Sequence, residues 1–402
     1  MIKMNKKNID EIWNQKLIND LGEDRFKQLF SKSIEGININ PFYSKSKCSF
    51  FYPCPKWEIL AEIEHAGIEK SLHEINKIND YDIQNIAIYN IDLNHVRKLI
   101  DKTKNQINFF CFIDNKKIDK TTELNSTQII LNHDCFNVKT INISKVYSKK
   151  LKINIDSSPF KNLGCNIVQE IAYTVGIGNE YLNTYGGKIS PMITFEVGQG
   201  GNYFFEIAKI QVIRRLWHLI TSYYNNEISN VIITTKPITR NKTINNFNNN
   251  LIRTTSECMS GILGGCNYIK SQAYDYLFKK KNDFSENLMF KQLLIIKNET
   301  KIDKVDNICE GSYYISSLIE NLLKESFDLF KKIEKRGGFF KNLSSGIIEK
   351  EIEKNNKKEI ELYKRKDKIL VGYNAYNDKT TEENTINEKP ILFKNSSRIE
   401  TY

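Results

Sequence analysis

The chain has 402 residues, 40% of them hydrophobic and 27% charged, with a formal net charge of +11 and a pI near 9.0. That is enough to bury one large or two ordinary domains, and no apolar run approaches the roughly 20 residues of a membrane span. Lysines interleave with acids rather than clustering, so the charge reads as composition and not as a nucleic-acid footprint.

Met1-Ile2-Lys3-Met4-Asn5-Lys6-Lys7 has no apolar core or small-residue cleavage site behind it, so a cytoplasmic location is expected rather than secretion. Eight cysteines are present; only Cys48 and Cys54 lie close together, and none are spaced Cys-x-x-Cys. With five isolated histidines this is neither a zinc site nor a disulfide framework, and free thiols in a reducing compartment are expected.

In chain order, Asn8–Phe30 carries Ile9, Ile12, Trp13, Leu17, Leu21, Phe26 and Leu29 at helical spacing, interrupted near Gly22. An extended segment follows, broken by Pro41, Pro53 and Pro55 and rich in aromatics: Phe42, Tyr43, Phe50, Phe51, Tyr52 and Trp57. Apolar surface without its own periodicity points to a segment lying against something else. Residues 1–60 are therefore read as a helical and extended arm for partner contact.

From about residue 80 strand-length apolar runs appear at Ile83–Ile91, Ile107–Ile113, Thr127–Leu131, Leu151–Ile155, Pro191–Val197, Asn230–Thr235, Asn267–Gln272 and Ile302–Val305. Helical patterns lie between most of them: Asn166–Leu182 and Tyr203–Tyr224, with Tyr313–Lys335 after the last. Eight strands alternating with helices predict an α/β fold of parallel βα units. Eight also closes a barrel, although pattern alone leaves an open doubly wound sheet as the alternative. The barrel is placed at 61–345, with a charged helix, Glu349–Arg365, and a polar tail at 346–402.

Five patterns carry a family resemblance: Leu251-Ile252-Arg253-Thr254-Thr255, Gly261-Ile262-Leu263-Gly264-Gly265-Cys266, Asp283-Phe284-Ser285-Glu286, Glu310-Gly311-Ser312-Tyr313-Tyr314 and, upstream, Gly164-Cys165-Asn166-Ile167-Val168-Gln169-Glu170. With the helix Asn202–Lys209, their collinear order resembles the methylmalonyl-CoA mutase family from about Trp13 to Tyr376. The resemblance implies a (β/α)8 TIM barrel. Ser33-Ile34-Glu35-Gly36-Ile37, Pro41-Phe42-Tyr43 and Trp57-Glu58-Ile59 resemble the start of the family's small subunits, and Val371-Gly372-Tyr373-Asn374 resembles its strand-like tail.

The departures decide what is implied about function. The family's radical rearrangement needs adenosylcobalamin, held by a histidine in an Asp-x-His-x-x-Gly pattern within a domain after the barrel. His65, His73, His95, His133 and His218 all precede the barrel's end, and about 60 residues follow it, short of the roughly 100–150 typical of a domain. The family's catalytic histidine position falls on Pro159, which has no side-chain donor. Lys161 beside it reads as a solvated loop lysine, and His218, next to Trp217, as packed or solvated.

No catalytic, cofactor-binding or metal-binding residue is therefore assigned on this chain. The resemblance implies a non-catalytic small subunit whose large partner holds adenosylcobalamin and interconverts (R)-methylmalonyl-CoA and succinyl-CoA, in propionate metabolism. The alternative is a catalytic acyl-CoA mutase barrel served by a separately encoded cobalamin-binding chain. Bulky residues on both faces of Ile107–Ile113 favour a filled barrel axis over one open to a coenzyme A tail.

Overall fold

A computed structural model describes residues 9–44, 54–103, 107–113, 127–143, 151–225, 230–244, 246–279 and 281–376. The aromatics Phe50, Phe51 and Tyr52, Cys48, and the polar tail after Tyr376 lie outside the described residues.

Two helices, α1 (Ile9–Leu21) and α2 (Glu23–Gln28), open the described chain, separated by Gly22 at φ 79°. That left-handed backbone suits glycine and ends the first helix. A small antiparallel pair follows, β1 (Ser31–Lys32) with β2 (Asn38–Ile39). The barrel begins at β3 (Glu58–Glu64) and continues through α3 (Ile68–Asn79), β4 (Asn85–Tyr89), α4 (Leu93–Lys102), β5 (Asn108–Phe112), β6 (Thr127–His133), β7 (Leu151–Asp156), α5 (Ser158–Leu163), α6 (Ile167–Tyr185), β8 (Ile193–Gln199), α7 (Tyr203–Asn225), β9 (Ile232–Pro237), α8 (Asn249–Leu263), β10 (Tyr268–Ile269) and α9 (Asp283–Asn298). Outside this ring lie α10 (Tyr313–Lys335), α11 (Phe339–Ser344) and α12 (Ile347–Lys364).

The eight strands β3 to β10 are all parallel and close into a barrel, which rules out the open sheet. The count of eight is right for a partly wrong reason. Ile302–Val305 is no strand: Ile302–Lys304 is one 3-10 turn between α9 and α10. The missing strand is β3, which crosses residue 60, where the sequence reading ended the arm. Its alternation is real: Ile59, Ala61 and Ile63 face the helices and are buried, while Leu60, Glu62 and Glu64 share the other face. β10 keeps two of the six expected residues, Tyr268 and Ile269, and beyond it the Asn250 amide of α8 donates to Tyr274 O at 3.0 Å. Val371-Gly372-Tyr373-Asn374 forms a turn, not a strand: the Asn374 amide donates to Tyr363 O and Lys368 O and its oxygen accepts from Leu370 N.

The Gly-Cys-Asn-x-x-Gln-Glu pattern is a helix start. Gly164 at φ 107° ends α5, and Asn166 and Gln169 form a reciprocal capping box at 2.9 Å each way. Tight packing sets the next helix against it, since a Cβ at Gly178 would stand 2.6 Å from the Trp217 ring. Trp217 in turn meets Phe195 of β8 edge-on at 5.0 Å.

The arm divides in two. Ile37 enters the main core, Lys358 donates to Ile34 O at 3.1 Å, and Tyr43 lies 5.2 Å from Tyr314. These residues fold onto their own barrel. By contrast no residue of α1 or α2 is fully buried: Ile12 is 59% and Ile9 42% exposed, Trp13, Leu17, Ile18 and Phe26 are half-buried, and Trp13 stacks on Phe42 of the arm at 4.8 Å. No described helix is long and apolar enough to cross a membrane.

Candidate functional site: the barrel mouth

The inward faces of the strands fill the axis. Leu60, Ala87, Phe110, Phe112 and Ile130 pack together with Tyr89 and Tyr268, as the bulky β5 pattern predicts. Above this layer, toward the carboxyl ends of the strands, sits a charged cluster. Lys270 Nζ lies 2.9 Å from both Glu196 Oε2 and Glu62 Oε1, donates to Tyr89 Oη at 2.6 Å, and sits 5.3 Å from the centres of the Tyr89 and Phe112 rings. Lys236 Nζ bridges Asp156 Oδ2 at 2.8 Å and Glu196 Oε1 at 2.7 Å. Tyr89 completes the ring by donating to Glu62 Oε1 at 2.6 Å.

Electrostatics lock Glu196, Lys236 and Lys270 in their charged forms. Burial alone would raise the Glu196 carboxyl, but Lys236 and Lys270 outweigh it and hold it at about 2. Burial works against both ammonium groups too, and the facing carboxylates overcome it, raising Lys270 and Lys236 above the usual lysine range. Burial and the Glu62 charge push the Tyr89 phenol well up, so it stays a donor. Two lysines and three carboxylates thus plug the axis, each satisfied by the others. Glu196, Lys236 and Lys270 are therefore neither open nucleophiles nor bases near neutrality.

A cavity of about 1560 Å³ lies over this plug. Its carboxylates outnumber its lysines by more than two to one, the reverse of the chain's overall charge. Pro159 lines it at the first turn of α5, where a missing N–H costs nothing. Lys161 corrects the expectation of a solvated lysine. It is 9% exposed, with Nζ 3.3 Å from Glu206 Oε1 and 3.8 Å from Glu170 Oε2, and Lys209 lies 2.9 Å from the same Glu170 oxygen. Glu170 also accepts from Gly198 N at 2.9 Å, so the four charges tie α5, α6, α7 and β8 together. Burial opposes the Lys161 charge, and Glu206 and Glu170 override it.

The histidines do not converge. His65 and His95 hydrogen-bond at 3.0 Å above β3 and α4, with His65 also 2.9 Å from Ser71. His133 is buried against Tyr181 at 2.9 Å, and burial lowers it to about 4. His73 is exposed and lines the cavity on α3, and His218 is half-buried on α7. The described cysteines are free thiols, and no described group of three His, Cys, Asp or Glu could hold a metal.

Sequence reasoning missed Glu62, Tyr89, Glu196, Lys236 and Lys270. A signal was available: Glu62, Tyr89, Glu196 and Lys236 are polar residues within or at the end of strand-length runs, and Lys270 follows one directly.

The family model described as methylmalonyl-CoA mutase matches residues 127–401. The chain belongs to the methylmalonyl-CoA mutase family. Among its relatives is the methylmalonyl-CoA mutase small subunit of Porphyromonas gingivalis, 27% identical over 91% of this chain and 69% of that protein. The methylmalonyl-CoA mutases of Cereibacter sphaeroides and Escherichia coli are 30% and 26% identical, over 58% and 60% of this chain. Of those two proteins the chain spans only about a third, 34% and 35%. The mutase family is one of adenosylcobalamin-dependent isomerases. Ion pairs fill the axis below the cavity, and His65, His95 and His133 are hydrogen-bonded to one another, to Ser71 or to Tyr181, while His73 is exposed at the cavity wall.

Proposed function

We propose that this chain is the non-catalytic small subunit of a heterodimeric, cytoplasmic methylmalonyl-CoA mutase. It stabilises a large subunit that holds adenosylcobalamin and interconverts (R)-methylmalonyl-CoA and succinyl-CoA. The observation that carries this reading is the pair α1–α2, which places Ile9, Ile12 and Leu21 in solvent and buries none of its residues. A two-helix arm without a core of its own is stabilised by a partner that covers it. In this reading residues 1–60 are the contact arm, 61–345 the barrel and 346–402 the charged helix and tail.

The mouth supports the same conclusion. Proline at 159 supplies no donor to a thioester carbonyl, and the plug of Lys270, Glu196, Lys236, Asp156 and Glu62 blocks the axis. A coenzyme A tail, carrying several negative charges, would meet a lining richer in carboxylates than in lysines.

The cavity over the plug favours a second reading, a catalytic barrel served by a separate cobalamin-binding chain. Co-expression with a full-length mutase from the same genome separates the two. The subunit reading expects a stable one-to-one complex, with cobalamin and thioester binding confined to the large chain. Turnover by this chain mixed with a small cobalamin-binding protein would overturn it.

A further inference from the structure

The cavity over the plug keeps three acids that no described lysine neutralises. Nine carboxylates line it. Six are paired: Glu62 with Lys270, Asp156 and Glu196 with Lys236, Glu69 with Lys102, Glu74 with Lys281 and Glu286 with Lys77. Among the described residues the other three meet only neutral donors: Glu64 the Asn90 amide, Asp134 the backbone N–H of Phe136, and Asp275 the Asn282 amide. Asp275 stands apart, because it is only 2% exposed. Asn282 Nδ2 reaches its Oδ2 at 3.1 Å, and among the described residues its Oδ1 has no donor. A buried carboxylate without a cation is costly, and a positive group seated beside it removes much of that cost.

We propose that the mouth binds a linear aliphatic polyamine, with one ammonium beside Asp275 and Glu64 and another beside Asp134. Asp275 follows β10 and Glu64 ends β3, which are neighbours in the ring, whereas Asp134 follows β6, half-way round it from β10. Strands lie about 4.8 Å apart, so opposite rims of an eight-strand ring are separated by roughly 12–15 Å. A single metal ion gathers its oxygen ligands within roughly 2.6 Å and cannot serve both rims. A chain of amines separated by methylenes can. Its methylenes cross Pro159, Ala273 and Leu277, half-buried residues of the lining.

The lining lysines leave room for such a ligand. Lys236 and Lys281 are already paired, Lys279 holds its ammonium 5.3 Å from the centre of the Phe247 ring, and Lys70 is exposed on α3. Beneath them the plug pairs Lys270 with Glu196 and Glu62, so the three remaining acids set the sign that a ligand meets. This goes beyond the subunit reading and stands whether or not that reading holds.

The test is isothermal titration of the full chain with spermidine at physiological salt. One site with a Kd of about 100 μM or tighter is expected, together with a Tm that rises with added spermidine. Asp275→Asn should weaken binding about tenfold and remove most of the Tm gain. It deletes an uncompensated buried charge, so without ligand the variant should be at least as stable as the parent, which separates lost binding from lost folding. Glu64→Gln and Asp134→Asn, at exposed positions, should each cost less. Glu353→Gln, on α12 outside the lining, should change nothing. Three results would overturn the proposal: no binding, binding that Asp275→Asn leaves unchanged, or equal binding of magnesium or propylamine. The last would make the mouth a diffuse negative field rather than a site.

Discussion

The barrel mouth and the N-terminal helices spend their side chains in opposite ways. At the mouth, Lys270 and Glu196 are buried, and each charged group finds a counter-charge within 3 Å: Lys270 with Glu196 and Glu62, Lys236 with Asp156 and Glu196. In α1 and α2, Ile9, Ile12 and Leu21 are exposed and no residue is fully buried. Burying paired charge and exposing apolar surface both run against the simplest partition of residues. The mouth resolves the conflict within the chain. In the proposed subunit reading, the arm resolves it with a second molecule.

That contrast breaks most sharply at Lys270. Lys270→Met removes one of the two cations on buried Glu196, leaving Lys236, and, among the described residues, the only one on Glu62, in a site 1% exposed at the lysine. Removing one partner of a buried pair costs roughly 3–5 kcal/mol, to be read as a lower urea midpoint with an unchanged slope. A variant as stable as the parent would show that the plug is ornamental.

A smaller effect should appear with pH. His133 is held neutral by burial, at about 4 in the folded chain against 6.5 ordinarily. The unfolded chain therefore binds the extra proton first. Stability is full above pH 6.5 and falls as pH drops through 6.5 toward 4, by roughly 3 kcal/mol at most. His133→Gln should flatten most of that window. His65, also lowered by burial and by His95, contributes with the same sign and leaves a residual slope.

The arm gives the smallest change in one assay and a large one in another. Ile12→Ser should alter the stability of the isolated chain by less than about 0.5 kcal/mol, as exposed positions do. If Ile12 sits in the core of the partner interface, the same substitution should weaken the complex about tenfold or more. An unchanged complex would place the interface elsewhere on the barrel.

Much of the fold could be read in advance where local chemistry is strong. The helix Tyr313–Lys335 matches residue for residue, its start marked by Ser312 accepting from Ile315 N. The start of α6 was visible in its Asn and Gln, three apart. β3 was not, because Glu58, Glu62 and Glu64 disguise a barrel strand as part of a polar, proline-flanked arm. Ile302–Val305 misled in the other direction: a short apolar run cannot tell a strand from a turn that packs on the core. The plug was illegible for a different reason. Lys270 and Glu196 stand 74 positions apart, and only closure of the ring brings them together.

The charged face of β3 also bears on how the chain is made. Its partner on one side, β10, is synthesised about 200 residues later, so a growing polypeptide carries that edge bare for on the order of 10 to 40 s. A naked apolar strand displayed on a ribosome for so long invites pairing with its neighbours on the same message. Glutamates at 58, 62 and 64 make such nascent chains repel one another, as charges on open edges do.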